Sequence, residues 1–187
     1  MIKRPPRIPM RDLSTLTGED ADTARKNRLG GRDLNIFRVL MNHPQLARRW
    51  AVFAAHVLHK QTLPPREREL LILRIGWLCR SGYEWGQHVV IGRSTGLTDE
   101  EIASIAEGPD AVRWSTEDRA LLRATDELHE DAFVSDATWA ELSKSWNTQQ
   151  LMDLVFTVGQ YNLVSMALNT LGVQLDAGLE GFARWRR

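Results

Sequence analysis

From Asn35 onward, apolar positions return every three or four residues in segment after segment, a spacing that predicts helix following helix. Asn35 to Met41 reads as a short helix stopped at His43-Pro44, because the residue before proline disfavours the α region. A second helix covers roughly 45–59. Leu63-Pro64-Pro65 opens a third, with proline tolerated in the first turn and Glu67 and Glu69 near the positive end of the dipole. There Leu70, Leu71, Leu73, Ile75, Trp77 and Leu78 are apolar on several sides, which predicts a central, buried helix. Tyr83 to Thr95 continues as a fourth, ending at Gly96. Thr98-Asp99-Glu100-Glu101 is a capping box for the next, and Ser115 to Glu130 and Ser135 to Lys144 follow in the same style. Asn147-Thr148-Gln149-Gln150 caps a long last helix through Leu171. No Asn-Gly hairpin and no sustained alternation are present, so the predicted class is all-α.

Residues 1–33 read differently. Pro5, Pro6 and Pro9 favour extended backbone, and Gly18 to Asp33 is rich in charge and glycine. The division expected is an N-terminal arm over 1–33 and one helical domain over 34–187, a length that buries a substantial core. Lys plus Arg and Asp plus Glu are both 24, so the formal net charge is zero. That balance argues against nucleic acid or an anionic membrane as partner, and it leaves self-association unopposed. The basic start of the chain leads into polar sequence instead of an apolar signal core, and the run Leu70–Cys79 is interrupted by Arg74 and too short to span a bilayer. With Cys79 as the one cysteine there is no internal disulfide framework, and a cytoplasmic location is the expectation.

Candidate chemistry concentrates between Pro64 and Gly96. Glu84 and His88 are four apart on a helix, so they share a face and can touch. A carboxylate beside an imidazole favours the imidazolium and orients the ring, which suits proton transfer near neutral pH. Such a pair is also common on solvated helix faces. Its place directly after the most apolar helix, flanked by Tyr83, Trp85 and Val89-Val90-Ile91, favours a half-buried site.

The stretch Leu63-Pro64-Pro65-Arg66-Glu67-Arg68-Glu69-Leu70, then Tyr83-Glu84-Trp85-Gly86-Gln87-His88, then Gly96-Leu97-Thr98-Asp99-Glu100-Glu101, resembles the carboxymuconolactone decarboxylase family, which includes the AhpD-like alkylhydroperoxidases. The resemblance is strongest over 34–107 and extends loosely to Val158-Gly159-Gln160-Tyr161-Asn162. It implies a single-domain AhpD-like helical bundle assembled as a homo-oligomer, trimer or hexamer, with sites near subunit contacts. In the peroxidase branch a glutamate lies twelve residues before a Cys-x-x-Cys pair, and a histidine lies four after it. In that register Glu69 is the glutamate, His88 the histidine, and Ser81 and Glu84 stand at the two cysteines. Thiol peroxidase chemistry needs one sulfur to attack peroxide and another to resolve the sulfenic acid. Neither sulfur is present in register, and Cys79 reads as a small buried hydrophobe.

What the resemblance then implies is decarboxylation or related proton transfer on a small carboxylated lactone or organic acid. Glu69, Glu84 and His88 are the candidate catalytic residues: His88 as acid, Glu69 relaying protons and Glu84 orienting His88. Tyr83, Ser81 and Trp85 are the candidate substrate-binding residues, and Asn35, Phe37, Leu40 and Met41 either line the mouth or simply pack helices. No cofactor is called for. A metal held by the three candidates is disfavoured, since no second histidine lies at short helical spacing. The alternatives are a non-catalytic oligomer binding a small molecule in the same pocket, and residual alkylhydroperoxidase-like activity through Cys79.

Overall fold

The computed structural model describes residues 4–182 and Trp185; Met1, Ile2 and Lys3 of the predicted arm lie outside the described residues. Helix α4 (Pro65–Leu78) is the axis of the molecule. Every residue from Arg68 to Gly76 is buried, and α5 (Gly82–Ser94), α6 (Asp99–Glu107), α7 (Thr116–Asp131) and α9 (Thr148–Leu171) all pack against it. Helix α8 (Asp136–Ser145) rests on α7 and α9, while α2 (Asn35–Leu40) and α3 (Pro44–His59) cover the other side of α9. Among the described residues there is no strand. The predicted all-α class is therefore the observed one.

Local signals place the boundaries well. Pro65 is the first residue of α4 and Glu67 lies in its first turn. Both arms of the Thr98–Glu101 capping box form, as do those of Asn147–Gln150. The α4–α5 turn is a Schellman closure, with Ser81 N–H on the Gly76 carbonyl and Arg80 N–H on that of Trp77. Arg80 takes the left-handed conformation (φ 53°) that glycine usually supplies. Helix α9 is 24 residues long, with a mean hydropathy that meets a membrane-span threshold, yet half of that window is buried against the rest of the protein.

The N-terminal segment departs from a plain extended arm. A helix, α1 (Gly18–Lys26), forms where charge and glycine predicted none, with Glu19 and Asp20 in its first turn and Arg25 and Lys26 in its last. Those charges complement the helix dipole at both ends. Ala24 joins Leu13, Met41 and Ala47 in a small satellite core. The proline-rich part from Arg4 to Met10 forms neither helix nor strand and is tied to its own chain: Arg7 and Ile8 donate to the Leu171 carbonyl, and Arg11 to that of Arg38.

Buried arginines brace the axis. Arg74 makes a two-pronged pair with Asp126 of α7 (2.6 and 2.8 Å) and donates to the Ile105 carbonyl at 2.9 Å. Gly108 has φ 104°, and a Cβ there would lie 2.8 Å from the Arg74 guanidinium. Gly108→Ala is expected to cost about 1–3 kcal/mol from the backbone conformation alone. Urea unfolding measures it; an unchanged midpoint would show that the positive-φ backbone at Gly108 is not a constraint.

Candidate functional site

Gly76 of α4 and Gly92 of α5 lie where the two helices meet. A Cβ on Gly76 would lie 3.7 Å from the Glu84 side chain, and one on Gly92 would lie 3.9 Å from Glu69 Cβ and 3.0 Å from Leu97. The helices run antiparallel, so Glu69 faces the Gly92 level, Gly76 faces Glu84, and His88 lies between. At Gly92 the fit is tight, since a Cβ would also lie 3.3 Å from Leu73 of α4.

His88 bridges the two carboxylates. Its Nδ1–H donates to Glu69 Oε2 at 2.6 Å, and its Nε2 lies 2.9 Å from Glu84 Oε1. The second Glu69 oxygen accepts from Arg68 Nε at 3.0 Å. All four side chains are buried, Glu69 completely. The result is a continuous chain, Arg68–Glu69–His88–Glu84, in which basic and acidic groups alternate. Burial alone would drive His88 to give up its proton, but Glu69 and then Glu84 outweigh it and push the pKa up to about 10. The imidazole is therefore a cation at neutral pH, and each ring nitrogen already has an acceptor.

The Tyr161 ring meets His88 edge-on, centroids 4.9 Å apart. Burial, together with the charges of Glu84 and Glu69, holds its phenol well above the ordinary tyrosine range, so it stays a donor. Tyr161 and Arg68 are the site residues that sequence reasoning did not select. Tyr161 stands out in the sequence as a polar residue in an apolar helix and as part of the Val158–Asn162 stretch of the family resemblance. Arg68 sits beside Glu69 in an alternating Arg-Glu run that reads equally well as solvated surface.

The other expected residues are placed as follows. Ser81 is fully buried with an unpartnered Oγ, at the foot of α5. Trp85 is fully buried in an aromatic cluster with Trp77, Phe182 and Trp185, at centroid distances of 5.1, 5.6 and 6.1 Å. The Tyr83 hydroxyl points away from the triad and donates to Asp176, which also accepts from Gln87 and from the Asn35 N–H at 2.8 Å. Asp176 thereby ties the C-terminal segment to α2 and α5, and Gly86 admits that segment, its Cβ position lying 3.0 Å from the Glu180 carbonyl oxygen. Phe37 packs on Trp50 and Met41 enters the satellite core, so both act in helix packing.

Cys79 is half-buried on a different face of the core. Its S–H donates to Asn162 Oδ1 at 2.9 Å, and burial pushes its pKa up to about 11. It is a thiol at neutral pH, not a thiolate. Among the described residues no group of three or more His, Cys, Asp or Glu is arranged to hold a metal ion.

Residues 44–127 match the carboxymuconolactone decarboxylase family. Among curated proteins, none matches the chain. Two solved structures of peroxidase-related proteins are similar in fold. One, from Ralstonia eutropha JMP134 and described as an alkylhydroperoxidase AhpD core, has 18% identity, a TM-score of 0.82, and coverage of 91% of this chain and 92% of that one. The other, from Silicibacter sp. TM1040, has 13% identity, a TM-score of 0.79, and coverage of 95% and 94%. The debrominase Bmp8 bound to 2,3,4-tribromopyrrole shares the fold at 13% identity and a TM-score of 0.68, over 95% of this chain and 92% of that one.

The charge of His88 gives a stability signature. Its folded pKa, about 10, lies above the ordinary value of 6.5, so its contribution is fully present below pH about 6.5 and is lost as pH rises through about 10. The urea midpoint is expected to fall across that window. Nitrogen-15 NMR at pH 8 should show both ring nitrogens protonated; a neutral imidazole there contradicts the assignment.

Proposed function

We propose, from the carboxymuconolactone decarboxylase family region at residues 44–127 and the buried chain Arg68–Glu69–His88–Glu84, that this protein catalyses proton transfer coupled to decarboxylation of a small carboxylated lactone or related organic acid. The observation that carries the reading is an imidazolium held between two carboxylates in a buried site. Relatives of this fold include peroxidase-related proteins and a debrominase, so the fold does not choose the reaction and the donor set has to.

The geometry refines the division of labour. Both oxygens of Glu69 are occupied, by Arg68 and by His88, whereas Glu84 uses one oxygen on His88 and has no described partner on the other. Glu84 is thus the group able to face substrate, His88 the proton reservoir behind it, and Glu69 the anchor. When a carboxylate leaves as carbon dioxide, the electron pair of the broken C–C bond stays on carbon as an enolate. Glu84, protonated from the His88 imidazolium, passes that proton to carbon, and the chain is refilled from water. Glu84 stands where the peroxidase branch has its second cysteine. A carboxylate there replaces sulfur redox chemistry with proton delivery, and Cys79 offers a neutral thiol outside the site.

The test is carbon dioxide release from a panel of lactones bearing one or two carboxylates. Glu84→Gln and His88→Ala are expected to lower turnover by at least about a hundredfold each, in line with the loss of a general acid. Undiminished turnover in both variants contradicts the site. Ligand binding by the wild type without any turnover favours a non-catalytic binding protein instead.

A homo-oligomer, as the family resemblance implies, is supported by the outer face of α9. Met152, Phe156, Gly159, Leu163 and Met166 follow each other at alternating steps of four and three, and the four large side chains are each at least half exposed. Phe53 of α3 extends this face by edge contact with Phe156. A second copy of the chain is the proposed cover. Light scattering after gel filtration should give a trimer or hexamer, and the pair of changes Phe156→Lys and Met166→Lys should reduce it to monomer; a monomeric wild type contradicts the proposal.

A further inference from the structure

Helix α4 carries three arginines turned inward, and they are not used alike. Arg66 gives Nη1 and Nη2 to Asp118 (2.9 Å each) and Nη2 also to Glu101 at 2.6 Å. Arg74 gives Nε and Nη2 to Asp126 and Nη1 to a backbone carbonyl. Each of these guanidinium groups closes its fork on acceptors that belong to the fold. Arg68 is just as deep, at 9% exposure, but only its Nε is engaged, on Glu69. Among the described residues nothing accepts from its two terminal nitrogens, which carry four N–H donors.

A guanidinium this deep with an open fork needs a partner to complete it, and its terminal nitrogens are not sealed from solvent. Water can do so in the empty site, but the planar, two-pronged geometry matches a carboxylate best. The open donors also have company. The Tyr161 phenol, buried and without a described hydrogen-bond partner, lies against His88 and within the electrostatic reach of Arg68. Two open donors therefore lie along the proton chain, the Arg68 fork at one end and the Tyr161 hydroxyl beside His88 and within reach of the Glu84 charge, and Glu84 has an acceptor oxygen without a described partner.

We propose that Arg68 is the anion-recognition residue of this site, its terminal guanidinium nitrogens pairing with a carboxylate of the substrate and the Tyr161 hydroxyl adding a further hydrogen bond. The inference rests on the proposed function for the identity of the ligand class, a small organic acid. A carboxylate paired with a guanidinium is stabilised as a carboxylate, so the group held by Arg68 is an anchor kept through the reaction. Arg68 consequently sets which acids are accepted and fixes their orientation toward Glu84. Because the same guanidinium also holds Glu69, occupancy of the anchor is felt directly by the acceptor of the His88 proton.

Calorimetric titration of the full chain with benzoate and with α-carboxy-γ-butyrolactone, each against its neutral methyl ester, tests this. The wild type is expected to bind each acid at least about tenfold more tightly than its ester, the usual effect of one hydrogen bond to a charged group. Arg68→Gln should bring the ratio of acid to ester affinity down to about one, and Arg68→Lys should keep only part of the preference because the fork is lost. Tyr161→Phe should weaken acid binding severalfold. Equal affinity for acid and ester, an Arg68→Gln protein that binds the acids as the wild type does, or a wild type that binds neither acid overturns the proposal. The two readings fail separately. Acids held through Arg68 with no carbon dioxide released from any lactone would overturn the decarboxylation and support the anion site. Release with KM unchanged in Arg68→Gln would overturn the anion site and leave the reaction standing.

Discussion

The hydrogen-bonded contact between Glu69 and His88 is the constraint around which the α4–α5 pair is built. A fully buried carboxylate and a buried imidazole are each expensive alone. They become tolerable as alternate charges in one chain, with Arg68 beyond one end and Glu84 at the other. The contact requires the two helices to approach closely, which leaves little room beyond hydrogen at Gly92, and it requires the tight Arg80 turn that sends α5 back along α4. Removing one partner would leave an uncompensated charge in the interior, which is worse than never having the pair.

The same logic separates structural from functional charges on α4. Arg66 and Arg74 join α4 to the α6–α7 side by multiply bonded pairs whose acceptors belong to the fold. The Arg68–Glu69–His88–Glu84 chain is charge-balanced but not closed: donors remain open at one end and an acceptor at the other. An arrangement that is stable yet unsatisfied at its ends is what a binding and proton-transfer site needs, because the ligand supplies the missing partners.

The C-terminal segment contributes from outside. Asp176 collects donors from Tyr83, Gln87 and Asn35, and Phe182 and Trp185 close the aromatic cluster around Trp85. The outer face of α5 is thereby held in place while its inner face presents Glu84 and His88. Tyr83 and Trp85, which flank the pair in sequence, serve the site by fixing the helix that carries it.

Helix identities, most boundaries and the Glu84–His88 pair were legible in the chain itself, because caps, proline positions and i, i+4 spacing act through neighbouring residues and the local backbone. The family resemblance extended this to Glu69 through register alone. Tertiary structure decided the rest: that Glu69 reaches His88 from nineteen positions away, that Arg68 turns inward with its fork open, and that Tyr83 is claimed by Asp176. The helix at Gly18–Lys26 belongs to the same group, since it depends on burying Ala24 against Met41 and Ala47. Each of these turns on how closely two distant segments approach, which depends on the packed volume between them and is invisible to any local pattern.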